Sequence, residues 1–231
     1  MNQIKKKKTI GMNIFITGGA GYIGSVLTYD LLKLGHKVTV LDNFMYNQNS
    51  LSNCFKYKNF DIENYDVRNV SLYKDIIKKN DIIIPLAALV GAPICKKDPV
   101  GAKSINYNAI IDLFKIVSKN QIVLMPTTNS AYGSGNKDNY CDENTKLNPI
   151  SEYAIDKVNI EKRLLEFENS ISLRLATVFG MSPRMRTDLL VNDFTLRAVK
   201  DKFIVLFESS FKRNYIHVMD VVGAFIHSLK K

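Results

Sequence analysis

Short apolar runs alternate with stretches whose apolar residues recur every three or four positions, and the alternation continues along most of the chain. Ile14, Phe15 and Ile16 open the series as a run of β-type residues. From Tyr22 onward, Ile23, Val26, Leu27, Leu31 and Leu34 recur near the 3.6 period of a helix, which Gly35 ends. The same reading predicts strands over 37–41, 58–63, 81–88, 121–125, 171–176, 203–207 and 215–218. Helices are predicted over 70–79, 99–118, 151–168, 188–200 and 220–231, with Ser151 placed to cap the third of these. The segment 81–88, DIIIPLAA, is continuously apolar, as a strand buried on both faces requires, and Pro85 marks where it ends. Strands alternating with helices predict an α/β fold: a doubly wound parallel sheet with helices on both faces.

Chemistry enters between the first strand and the first helix. Gly18, Gly21 and Gly24 sit in the strand–turn–helix context of a Rossmann-type dinucleotide fingerprint. Gly18 permits a tight turn, Gly21 lets backbone approach a pyrophosphate, and Gly24 lets helix and strand pack closely. The helix N-terminus offers free N–H groups and partial positive charge to phosphates. Asp42-Asn43 ends the second strand, near the expected gap of roughly 20 residues, where an acid hydrogen-bonds the adenosine ribose. Asp42 repels a 2′-phosphate and no arginine follows it nearby, so the cofactor expected is NAD rather than NADP.

Composition narrows the classes. The 231 residues are 46% hydrophobic and carry a formal charge of +10. A basic surface suits anionic small molecules. No stripe of arginine and aromatic residues marks a nucleic-acid groove, and no apolar run approaches a membrane span. Cys54, Cys95 and Cys141 are isolated, which argues against a disulfide framework or a cysteine metal site and fits a reducing cytoplasm. Residues 1–11 read as a basic extension, 12–176 as an NAD-binding domain with a catalytic helix, and 177–231 as a partial substrate-binding region with a returning strand and helix.

The catalytic pattern is Tyr153-Ala154-Ile155-Asp156-Lys157, which puts Tyr153 and Lys157 on one helix face. A phenol titrates near ~10 and is a weak base at neutral pH. A neighbouring ammonium and a cationic nicotinamide favour the phenolate, so the pair can act as a tuned acid and base beside NAD.

In order, TGGAGYIGS, LDN, DVR, LAA, residues 128–133, YAIDK and RNYIHVMD resemble the extended short-chain dehydrogenases/reductases of the NAD-dependent nucleotide-sugar epimerase/dehydratase family. The resemblance covers nearly the whole chain from Met12 and is greatest to the UDP-glucose 4-epimerases. It implies a nucleotide-sugar substrate and a homodimer through helices 99–118 and 151–168. For the cofactor it implies Gly18, Gly21, Tyr22, Ile23, Gly24, Asp42 and Asn43, with Asp66 and Val67 at the adenine. Leu86, Ala87 and Ala88 line the cofactor, Asn106 lies toward the nicotinamide, and Ala176 and Thr177 approach nicotinamide and sugar. Thr128, four residues before Tyr132-Gly133, is implied to bond the reacting hydroxyl beside Tyr153 and Lys157, and Arg213 to face the nucleotide diphosphate.

The chain departs from the family pattern at several points. Pro85 replaces a histidine, Thr177 stands where asparagine is usual, and SPRMRTDLLVND is distinctive, with Arg184, Arg186 and Asp188 as candidate substrate contacts. Family members usually continue beyond the helix after Asp220, so an incomplete substrate-binding part is expected. Related dehydratases carry carboxylates directly after the catalytic threonine, where this chain has Asn129 and Ser130. The expected reaction is therefore redox-neutral epimerisation. A dehydratase or reductase of the same family and a non-catalytic NAD-binding protein are the alternatives; the presence of both Tyr153 and Lys157 favours an enzyme.

Overall fold

The computed structural model describes residues 11–134, 140–210 and 212–229. Most of the basic extension expected at the N-terminus, residues 1–10, lies outside the described residues, as do 230–231 of the predicted last helix. Six parallel strands form the central sheet: β1 (Asn13–Thr17), β2 (Lys37–Asp42), β3 (Phe60–Asn64), β4 (Ile82–Pro85), β5 (Ile122–Thr128) and β6 (Ser170–Leu175). Their spatial order is β3-β2-β1-β4-β5-β6, so the chain reverses its winding direction between β1 and β4. In doubly wound sheets the ligand crevice opens at that reversal, beyond the carboxyl ends of the strands.

Alternation along the strands builds two cores. Ile14 and Ile16 of β1 point to one face with Val38, Val40, Ile82 and Ile84, where α1 (Tyr22–Lys33) and α8 (Val218–Ser228) cover them with Leu27, Leu31, Val222 and Phe225. Phe15 points to the other face, against α2 (Val70–Lys78), α5 (Ala109–Phe114) and α6 (Glu152–Leu164) through Tyr73, Ile77, Leu113, Ile160 and Leu164. A second, two-stranded parallel sheet pairs β7 (Thr177–Phe179) with β8 (Tyr215–His217), and α7 (Leu190–Lys200) packs against β7.

Helix α1 ends as its sequence dictates. Gly35 takes φ +91°, Gly35 N–H donates to Leu32 O, and His36 N–H donates to Leu31 O, the paired bonds of a Schellman cap. Ser151 caps α6, its Oγ accepting from Ala154 N–H at 3.2 Å.

One expectation is refined and one fails. The helix predicted over 99–118 forms over residues 99–114 and carries a π turn at Ser104–Asn108 between α4 (Pro99–Lys103) and α5; α3 (Ala92–Lys97) precedes it. The extra residue of a π turn re-aims one side chain, and such turns gather at functional sites. Here Asn106 faces the loop after β4, its Oδ1 accepting from Leu89 N–H (2.8 Å) and its Nδ2 donating to Leu89 O (2.9 Å). The strand predicted over 203–207 is irregular and exposed; Phe207 is 94% accessible. A β-type run needs a neighbouring strand for its backbone hydrogen bonds, and none pairs with it among the described residues.

Candidate active site

The glycine turn fits a dinucleotide backbone. Gly18 adopts φ +71°, which disfavours a side chain, and a Cβ there would lie 2.6 Å from Ala87 N. A Cβ on Gly24 would collide with Gly18 O, so helix and strand approach only because it is absent. The turn closes through Gly21 N–H to Gly18 O (3.0 Å) and ties to β2 through Gly18 N–H to Leu41 O (2.7 Å).

Gly18, Gly21, Asp42, Asn43, Asp66, Val67, Leu86, Ala87 and Ala88, all named from sequence, line one open cleft at the β1–β4 reversal. Asp42 Oδ2 accepts from Ala20 N–H (3.0 Å) and Oδ1 from Phe44 N–H (2.9 Å). Burial raises the Asp42 carboxyl above its ordinary range, opposed by these bonds and by the Arg184 charge. Asp66 is held below the carboxylate range chiefly by hydrogen bonds from Arg68, whose Nε donates at 2.9 Å. Tyr22, Ile23 and Gly24 form the first turn of α1. The Tyr22 hydroxyl donates to Gly180 O (2.6 Å), away from the glycine turn. Asn106 does not line the cleft; both ends of its amide are held by Leu89, which does.

Sequence reasoning missed the 44–48 loop, Tyr65, Ile105 and, above all, the position of Arg184 in this cleft. Phe44 and Asn47 sit at φ +52° and +48°, a conformation rare for a bulky residue and often found at binding sites. An Asp-Asn pair after a strand followed by polar residues was the available signal for that loop. For Arg184 no local signal existed.

The residues expected to be catalytic lie on elements packed together at the carboxyl end of β5. Thr128 is the last residue of β5, and its Oγ1 accepts from Ser130 N–H (3.1 Å), capping a 3₁₀ turn over Asn129–Tyr132. Helix α6 packs against both this turn and the π turn, setting Tyr153 and Lys157 beside Thr128's end of the sheet. Burial pushes the Tyr153 phenol up to about 12, with Cys95 adding to the rise and Arg186 opposing it. Burial alone brings Lys157 down to about 8. Arg186 thus adds a cationic charge beside Tyr153 that the i,i+4 reading did not name. Arg186 is forked onto Asp188, its Nε donating at 3.0 Å, and the Asp188 carboxyl is lowered by that bond.

Behind these groups runs a buried polar network. Glu161, one turn beyond Lys157, is 4% exposed and accepts from Arg174 Nε (2.9 Å), Thr127 Oγ1 (3.0 Å) and Ser172 Oγ. Burial works against its ionisation, yet the bonds from Arg174 and Ser172 hold its carboxyl below the usual value. Arg174 also donates to the Tyr132 hydroxyl (3.0 Å), which itself donates to Asp142 O (2.9 Å). One ion pair therefore ties α6, β5, β6 and the turn after Thr128 together.

The remaining sequence candidates lie on the β7–β8 side. Ala176 joins β6 to β7, Thr177 N–H donates to Asn214 O (3.1 Å), and Arg213 directly precedes that residue. The 180–188 segment docks on α1: Ser182 Oγ donates to Tyr22 O (2.7 Å) and meets Ser25 Oγ (3.1 Å). Asn192 of α7 accepts from Gly180 N–H (2.9 Å) and donates to Arg186 O (2.9 Å) and to the Tyr22 hydroxyl (3.2 Å). Among the described residues no cluster is placed to hold a metal, and no helix is long and apolar enough to cross a membrane.

Comparison with known proteins agrees with this arrangement. Residues 14–231 match the NAD dependent epimerase/dehydratase family. A putative UDP-glucose 4-epimerase of Methanocaldococcus jannaschii is 27% identical, over 94% of this chain and 73% of its own length. UDP-glucuronic acid decarboxylase 1 of Danio rerio is 26% identical, over 92% of this chain and about half (53%) of its own length. Among solved structures, a UDP-N-acetylglucosamine 4-epimerase from Methanobrevibacter ruminantium superposes with a TM-score of 0.83 at 26% identity, over 96% of this chain and 74% of that one. The match over residues 14–231 shows that the chain belongs to the NAD-dependent epimerase/dehydratase family of enzymes, and its cofactor is NAD.

Proposed function

We propose that the chain is a nucleotide-sugar epimerase of the 4-epimerase type. NAD, when bound in the cleft, supplies the reversible oxidation of the sugar carbon. Tyr153 takes the proton from the sugar hydroxyl and gives it back after the keto sugar has turned over. Lys157 holds the ribose on the nicotinamide side and favours the phenolate. Thr128 orients the hydroxyl. Its Oγ1 already accepts from Ser130 N–H, which leaves its proton free to donate. Arg186, Asp188, Thr177 and Arg213 are assigned to the nucleotide sugar, residues 177–229 to the substrate-binding part, and α4–α6 to a homodimer contact.

Among the described residues, the turn directly after Thr128 holds no carboxylate, and this carries the choice of reaction. Dehydration needs an acid and a base next to the keto sugar. Asn129 and Ser130 fill the turn where they would stand, and neither serves at neutral pH. The nearby Asp142 carboxylate is turned onto its own loop, accepting from Thr145 Oγ1 (2.8 Å) and Asn144 N–H (3.0 Å). Epimerisation asks for nothing beyond Tyr153, Lys157 and Thr128. The test is incubation of the protein with NAD and a panel of UDP- and dTDP-hexoses, with products followed by mass spectrometry and NMR. An isomer of unchanged mass is expected. A product lighter by one water, or by carbon dioxide from a glucuronate, overturns the assignment.

A further inference from the structure

The two arginines of SPRMR go to different ends of the site. Arg186 joins Asp188 and acts on Tyr153. Arg184 instead lines the dinucleotide cleft, together with Gly18, Ala20, Gly21 and Asp42. Its guanidinium carbon lies 3.8 Å from the centre of the Tyr46 ring, close enough for a stacked cation–π contact. Its charge reaches Asp42 and lowers that carboxyl. Its Nε is buried and has no hydrogen-bond partner, while Nη1 reaches only Met185 O at 3.5 Å.

The arginine is delivered there by fixed parts. Ser182 is bonded to Tyr22 O and Ser25 in the first turn of α1, and Arg184 N–H donates to Ser182 Oγ (3.3 Å). Tyr46 is set by the 43–49 loop, where Asp42 accepts from Phe44 N–H and Asn43 Oδ1 from Met45 N–H (3.2 Å). Both Asp42 oxygens accept from backbone N–H groups, and the Arg184 Nε has no hydrogen-bond partner, so the guanidinium keeps a donor to offer.

We infer that Arg184 is a cofactor residue, contacting the diphosphate of the dinucleotide and setting its affinity, rather than a contact to the sugar. The α1 N-terminus presents dipolar N–H groups to that diphosphate from below. Arg184 supplies a full opposite charge within the same cleft, with an unsatisfied buried donor ready for an acceptor. A guanidinium flattened on an aromatic ring presents its edge donors in a fixed plane, which suits a phosphate. The segment that follows β7 thereby counts cofactor phosphate as one of its ligands, whichever sugar reaction the enzyme performs.

Isothermal titration of the full chain with NAD, ADP-ribose, NADP and UDP tests this. Arg184→Gln is expected to weaken NAD and ADP-ribose alike by about tenfold or more, with UDP affinity unchanged. Its NAD affinity should also fall less steeply with salt than that of the wild type. Arg184→Lys, which keeps the charge without the planar fork, should fall between. Tyr46→Leu removes the ring under the guanidinium from an exposed loop and should reproduce a smaller loss. Unchanged NAD and ADP-ribose affinity in Arg184→Gln overturns the inference. So does a loss confined to UDP, which makes it a substrate contact, or to NADP, which places it at the ribose 2′ position. Should Arg184→Gln fail to fold by thermal melting, Arg184→Lys and Tyr46→Leu decide by the same criteria.

Discussion

The two halves of the crevice are built by opposite means. On the cofactor side, between β1 and β4, function rests on backbone: glycines without Cβ atoms, N–H groups at a helix start, and a carboxylate pinned by the amides of Ala20 and Phe44. Nearly all of it comes from residues 18–24 and the tips of β2, β3 and β4. On the catalytic side, between β5 and β8, function rests on side chains from distant segments. Thr128 of β5 and Tyr153 of α6 sit on packed elements there, the Arg186 charge acts on Tyr153, and the Glu161–Arg174 pair braces the elements that carry the first two. A site made of backbone is specified locally and fails where one turn is distorted. A site made of remote side chains is specified by packing and fails when any brace is removed.

The sharpest separation of the halves should come from Tyr153→Phe. Only the proton path is removed, so turnover should fall by about 10²–10⁴-fold while NAD affinity, read by titration, stays near the wild-type value. If an activity found in the wild type survives this change, another group is the base.

Glu161→Gln breaks the brace of the catalytic half and leaves the half-buried Arg174 without its counter-charge. Loss of these charge-assisted bonds costs about 1–3 kcal/mol. Denaturant unfolding should show it, and turnover should fall more than the Michaelis constant rises, since Thr128 and Tyr153 lose their relative position. Cofactor titration should change little. A matching loss of NAD binding would mean that the two halves are not separately braced.

Gly18→Ala is the counterpart on the other side. The methyl group meets Ala87 backbone at 2.6 Å and the residue is forced to hold φ +71°, a cost of about 2 kcal/mol or more. NAD binding should weaken at least tenfold, with UDP binding retained.

Lys157 belongs to both halves and tests the comparison most finely. Without cofactor its ammonium is buried with no ion-pair partner among the described residues, and its pKa is lowered from 10.5 to about 8. Below pH 8 folded and unfolded chains both carry the proton, and the folded state bears the full burial cost. Between pH 8 and 10.5 the unfolded chain binds more protons, so stability rises with pH. Lys157→Met should therefore stabilise the cofactor-free protein at pH 7 by about 2 kcal/mol and flatten that rise, while weakening NAD binding and turnover. Thermal melts across pH 7–10 check it; a less stable Lys157→Met protein at pH 7 would show that the ammonium is well solvated.

The primary structure alone determined the parts whose physics is local. An apolar run, three glycines and a helical period can fold in one way only, so β1, the glycine turn and α1 were legible, with Gly35 as the stop. Asp42 at the end of β2 and Ser151 before α6 were equally local. Tertiary structure decided what depends on which segments meet. The helix expected over 99–118 carries a π turn at Ser104–Asn108, where Asn106 bonds Leu89 in the loop after β4, a partner from another segment. The run over 203–207 has strand composition yet forms none, because a strand is defined by its neighbour and not by its residues. Asp42 seemed to have no arginine near it, since chain distance was the only distance in view. Residues 42 and 184 share a cleft only because Tyr22 and Ser25 hold Ser182 against the first helix, a contact that no periodicity or spacing encodes.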